Sequence, residues 1–90
     1  MANILDIKKS LVSRLRKRRR EGKMSQTALA QRSGVSLGSI KRFEYEGEIQ
    51  LTSLLRIAAV LGYEADFDKL FDRKNYQSLD EVIAESKNAK

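Results

Sequence analysis

The 90-residue sequence contains no cysteine, no histidine and no proline. Without cysteine it can form neither a disulfide framework nor a thiolate metal site, and a reducing cytoplasm is its natural setting. Without histidine or cysteine the commonest general bases and the strongest nucleophile are missing. There is also no glycine-rich phosphate loop and no serine set beside a base in a recognisable arrangement, so the chain reads as a non-enzyme. The carboxylate pairs Glu46/Glu48 and Asp66/Asp68 are spaced two apart, would not share a helix face, and read as turn and capping residues rather than as metal ligands. No cofactor and no metal are expected. Long apolar runs are absent too: Arg56 interrupts the longest candidate, well short of the ~18–20 residues needed to cross a bilayer. The opening Met1-Ala2-Asn3-Ile4-Leu5-Asp6 is too short and polar for a signal peptide.

What is abundant is positive charge, unevenly placed. Residues 1–44 hold twelve Lys and Arg against three carboxylates, a net +9, whereas residues 45–90 hold six against nine, a net −3. A basic half joined to a mildly acidic one points to one face that binds a polyanion and another left for solvent or protein. On this feature alone DNA and RNA fit equally. Ninety residues with this apolar content make one domain with a single small core.

The hydrophobic pattern is helical throughout and predicts about five helices in a compact all-α bundle. Ile7, Leu11 and Leu15 recur at i, i+4 and i+8 with Val12 beside them, one apolar stripe on a helix from Asp6 towards Glu21, broken at Gly22-Lys23. Short helices at about 26–33 and 37–45 follow, the second ended by Gly47. From Leu51 to Leu61 the apolar residues cover more than one face, which predicts a helix packed by several neighbours at the centre of the core and ended by Gly62. Asp66 is placed to cap a short helix carrying Phe67, Leu70 and Phe71. Beyond it, Ser78-Leu79-Asp80-Glu81 fits a capping box for a short helix over 79–87 with Leu79, Val82 and Ile83 on one face. A helix so short needs something to dock on, its own domain or a partner.

The stretch from Ser25 to Glu44 carries the functional signal. Leu29 and Ala30 face inward on its first helix, with Ala30 leaving no bulk where a second helix crosses; Ile40 and Phe43 face inward on the second. Between them Gly34 can take φ > 0 at the helix end, Val35 can plug the corner, and Ser36 can cap the next helix. This is a helix-turn-helix layout. By roughly 100° per residue, Gly38, Lys41 and Arg42 fall about 100–200° from Ile40, on an outer face free to enter a DNA groove.

These residues resemble the phage-repressor-like (lambda repressor-like, Xre-type) helix-turn-helix family. The match is to an ordered set: Gln26 opening the first motif helix, Leu29-Ala30, Gly34-Val35, Ile40, Phe43 and Glu44, preceded by a basic helix ending in Met24-Ser25-Gln26 and followed by Leu61-Gly62 and a short helix at Phe67 to Phe71. It covers roughly residues 11–71. A lone Ala/Gly/Ile spacing would be weak; the whole set is strong. The resemblance implies a DNA-binding domain at 1–71 with its motif at about 25–45, a tail at 72–90, and a bacterial or phage regulator acting in the cytoplasm.

It also implies a site. Gln26, with Thr27 beside it at a helix N-terminus, occupies the position where such proteins hydrogen-bond the DNA backbone or an adjacent base. Ser36, Leu37, Gly38 and Ser39 form the first turn of the recognition helix, with Lys41 and Arg42 one turn on. Leu37 and Gly38 depart from the usual Gln, Ser or Arg, so Leu37 either touches a thymine methyl or turns inward as core, and Gly38 permits close approach. Arg42 is the best candidate for a guanine contact, with a phosphate contact as its alternative; Lys41 reads as a phosphate contact and Ser39 as either. Within the basic run Arg14 to Lys23, Arg19 stands where similar proteins pair an arginine with the glutamate closing the recognition helix, here Glu44. Other cations of the run would repel one another unless an anion, DNA phosphate first, offsets them.

The expected function is therefore that of a sequence-specific regulator of double-stranded DNA, a repressor binding as a homodimer, since one recognition helix covers few base pairs. The alternative is an antitoxin-type module that neutralises a partner toxin and autoregulates its operon, motivated by the acidic second half and the apolar-faced tail.

Overall fold

The computed structural model describes residues 3–74, and these form five helices: α1 Ile4–Glu21, α2 Gln26–Ser33, α3 Leu37–Glu46, α4 Leu51–Leu61 and α5 Ala65–Asp68. No strand occurs among the described residues. The expected tail helix at 79–87 lies outside them.

Local chemistry sets the boundaries. The side chains of Asn3, Ser25 and Ser36 accept from the backbone N–H of Asp6, Ala28 and Ser39, satisfying orphan donors at the starts of α1, α2 and α3. α1 begins two residues before the expected Asp6, because Asn3 supplies that cap. Its last turn carries Arg18, Arg19 and Arg20, favourable at the negative end of the helix dipole. α2 stops at Gly34, whose φ of 75 is the left-handed conformation that an L side chain resists. Three residues later α3 begins. The turn Gly34-Val35-Ser36 is thus fixed from both sides, and Val35 is buried at the corner.

Leu15, Met24, Leu29, Val35, Ile40, Phe43 and Ile57 make one buried cluster, with Phe43, Leu29, Ile40 and Ile57 its largest fully buried members. α2 packs on both α3 and α4, and α1 on α3. Two expectations need correction. α4 is not the core's centre: only its Ile57 and Ala58 are buried, while Leu51 is 64% exposed. The centre is shared with Leu29 of α2 and Ile40 and Phe43 of α3, because the motif helices cross most closely at Ala30 and the turn. The apolar stripe of α1 is likewise buried only towards its end. Leu15 is inside and Leu11 and Val12 pack at the margin, but Ile4, Leu5 and Ile7 remain exposed because the first turns of α1 run past the other helices. α5 is shorter than expected: it ends at Asp68, begins after Glu64 rather than at an Asp66 cap, and leaves Leu70 and Phe71 in solvent.

Candidate nucleic-acid interface

The motif is held to α1 through one carboxylate. Glu44, 5% exposed near the end of α3, accepts two bonds from Arg19, Nε to Oε2 at 2.9 Å and Nη2 to Oε1 at 3.0 Å. Arg19, itself buried, also donates Nη1 to the carbonyl of Met24 at 2.8 Å, which fixes the loop entering α2. Arg16 adds Nε to Glu44 Oε1 and Nη2 to the Glu44 backbone carbonyl, both at 3.1 Å. Gln26 completes the cluster, donating its amide Nε2 to Glu44 Oε1 at 3.3 Å. Burial pushes the Glu44 carboxyl up, but the hydrogen bonds and charge of Arg19 and Arg16 outweigh it and hold the group below the ordinary glutamate value. A planar guanidinium fork is suited to this two-oxygen contact, so the start of α2 and the end of α3 are registered against α1 with little freedom.

Beyond Glu44 the outer arc of α3 is bare. Around the helix, Lys41, Tyr45, Gly38 and Arg42 fall at roughly 100°, 140°, 160° and 200° from the inward Ile40. Lys41 is exposed and forms no ion pair; Gly38 has no heavy atom within 4 Å of where a Cβ would sit; Tyr45 is 90% exposed. Arg42 is exposed and donates Nε to Glu46 at 3.0 Å, one turn on along the surface, a contact that a competing acceptor can displace. Two polar concavities flank the arc. One, about 400 Å³, lies between α1 and the last turn of α3 and includes Lys9, Ser13, Lys17, Arg20 and Tyr45. The other, about 370 Å³, lies at the start of α4 and includes Ser39, Arg42, Gln50 and Ser53.

The chemistry is that of a projecting helix with a neutral tip, cations along its flank and donors on both sides. Among the described residues there is no group of acids that could hold a metal ion, and no helix long and apolar enough to cross a membrane. A family model described as helix-turn-helix matches residues 15–67, more than half of the chain. The chain belongs to the lambda repressor-like (Xre-type) helix-turn-helix family. Members of this family are DNA-binding regulators rather than enzymes. Comparison with curated proteins and with solved structures gives no match.

Within this helix-turn-helix domain the residues singled out from sequence fall into three groups. Gly38, Lys41 and Arg42 share the exposed arc of the recognition helix α3. Ser36 and Ser39 are engaged with each other: Ser36 Oγ accepts from the Ser39 N–H at 3.1 Å and donates to Ser39 Oγ at 2.8 Å, so their first role is capping. Leu37 is half-buried, between the two readings open to it, and Gln26 is half-buried on Glu44 with Thr27 exposed beside it. Sequence reasoning missed Tyr45 and the part of Arg16. Tyr45 could have been found by continuing the Gly38, Lys41 spacing one turn further, and Arg16 by its place one turn before Arg19 on the same helix face.

Proposed function

We propose that this protein is a sequence-specific repressor of transcription that lays α3 in the major groove of double-stranded DNA, acting as a homodimer. The observation that carries the reading is the bare arc of α3: a glycine with open space over it, an unpaired lysine, an arginine in a displaceable surface pair and an exposed tyrosine, all on one stripe of a helix rigidly braced from behind by Glu44. A stripe without bulk at Gly38 lets the helix approach base edges closely. Arg42 reads guanine bidentately and Lys41 neutralises phosphate. The two flanking concavities suit the two sugar-phosphate strands that border a groove, with Gln26 and Thr27 on one side and Ser39 on the other. Two copies reading half-sites ~34 Å apart supply the specificity that one short helix cannot. Selection of bound duplexes from a random pool tests this: a two-fold symmetric consensus is expected, and recovery of unselected sequence would overturn it.

A second reading, the antitoxin-type module binding a partner toxin, is favoured by the apolar side chains Ile4, Leu5, Ile7, Leu51 and Phe71 left in solvent. Capture of a stoichiometric protein partner by the full chain, lost on truncation at Gln77, supports it; capture of none leaves the DNA reading alone.

A further inference from the structure

We propose that α1 carries a second phosphate track, formed by Lys9, Lys17 and Arg20 with Ser13 and Tyr45, which holds the DNA backbone beyond the base pairs under α3. This rests on the DNA reading above and adds a flank to its footprint.

The argument starts from which cations of α1 are already used. Lys8 is paired with Glu48, Arg16 and Arg19 with Glu44, and Arg18 with Glu21, while Arg14 donates to the Ser10 hydroxyl. Lys9, Lys17 and Arg20 have no acid or hydrogen-bond partner and are exposed. The remainder is not scattered. At ~100° per residue, Lys9, Ser13, Lys17 and Arg20 fall within about 80° of one another, and at ~1.5 Å per residue the stripe runs ~16 Å along the helix.

All four line the same concavity, whose opposite wall carries Tyr45. Its carboxylates are neutralised: Glu44 by two arginines and Glu46 by Arg42. The cleft therefore presents net positive charge and hydroxyl donors on a rigid helix, without a competing anion. Repulsion among these cations is tolerated in the folded chain and relieved when an anion binds. A single free phosphate would engage one end only, whereas a run of phosphodiesters matches the length of the stripe. Tyr45 joins the two surfaces, since it lies on the α3 arc and in the cleft wall at once. A backbone strand leaving the recognition helix at Tyr45 is thereby led along α1 from Arg20 towards Lys9.

The test uses the full chain carrying K9Q/K17Q/R20Q and a charge-matched control, R32Q/K69Q/R73Q, whose cations also lack ion pairs but lie off the stripe. The altered side chains are exposed, and thermal melts confirm folding. Affinity is measured against salt for a short duplex ending at the selected site and for one extended by half a helical turn on each flank. Each lost phosphate contact lowers the slope of log K against log [salt] by about 0.9, so a fall of about 2–3 is expected for the stripe variant on the long duplex. The gain of the long duplex over the short one should vanish in that variant and persist in the control. An unchanged slope, or an equal fall in the control, overturns the proposal. Failure of the underlying reading looks different: wild-type protein would then prefer no sequence over a scrambled one.

Discussion

Replacing Gly38 with alanine should make the protein more stable and a poorer DNA binder. Gly38 is the second residue of α3, in helical conformation, and an added Cβ would meet no heavy atom within 4 Å. No clash offsets the helix propensity gained, so the substitution stabilises by about 0.5–1 kcal/mol. For a domain of this size that raises Tm by roughly 2–8 °C. The same methyl group stands at the middle of the exposed arc, where the proposed base edges come closest. Keeping it there pushes the helix outward and lengthens the contacts of Arg42 and Lys41. A loss of 10-fold or more in affinity is expected, on the order of 1.4 kcal/mol. Circular dichroism melts give the first number; fluorescence anisotropy with a selected duplex, at fixed salt and 25 °C where both proteins are folded, gives the second. A higher Tm with unchanged affinity would refute the placement of this arc against DNA. A lower Tm would refute the open environment assigned to Gly38.

Gly34→Ala should move stability the other way. The residue has φ +75 and its added Cβ would find only Arg56 Nη1 at 4.0 Å, so the cost is backbone strain of about 1–2 kcal/mol; urea melts check it, and Gly34→Asn should recover part of the loss. Arg42→Ala should broaden the selected sequence preference, with ~1–3 kcal/mol less discrimination at one base pair, whereas equal weakening on all sequences would leave only a phosphate role. Glu44→Ala leaves Arg19 buried without its counter-charge and should destabilise by about 3–5 kcal/mol. Because Glu44 is held below its ordinary value when folded, its stabilisation is complete above the unfolded pKa of roughly 4.3 and is lost as pH falls through the folded value. Denaturation midpoints between pH 7 and 3 should therefore fall more steeply for wild type than for Glu44→Gln; parallel curves would contradict this.

Features decided by a few adjacent residues were legible in the sequence. A cap at Ser25 or Ser36 and a left-handed turn at Gly34 depend on neighbours within three or four positions, and the motif helices start and stop where that chemistry says. Periodicity also names the apolar face of each helix, but not whether another element covers it. That is why Ile7 and Leu51 are in solvent although they continue buried stripes. The joining of Glu44 to Arg19 entered through the family resemblance, since no spacing rule links residues 25 apart. The engagement of Arg16 and Gln26 by the same carboxylate depends on how α1 crosses the end of α3 and was not legible. Tyr45 was hidden for another reason: an aromatic residue is read as core by default, and only the phase of α3 turns it outward.

The central claim, that α3 reads sequence in double-stranded DNA, is tested most directly by titrating the intact protein with a selected duplex and with its scrambled counterpart across a range of salt. The account predicts ~10³-fold or tighter binding to the selected duplex at physiological salt, with two copies bound across half-sites one helical turn apart. Equal affinity for both duplexes, with the same steep salt dependence, would contradict it and leave phosphate attraction alone as the basis of binding.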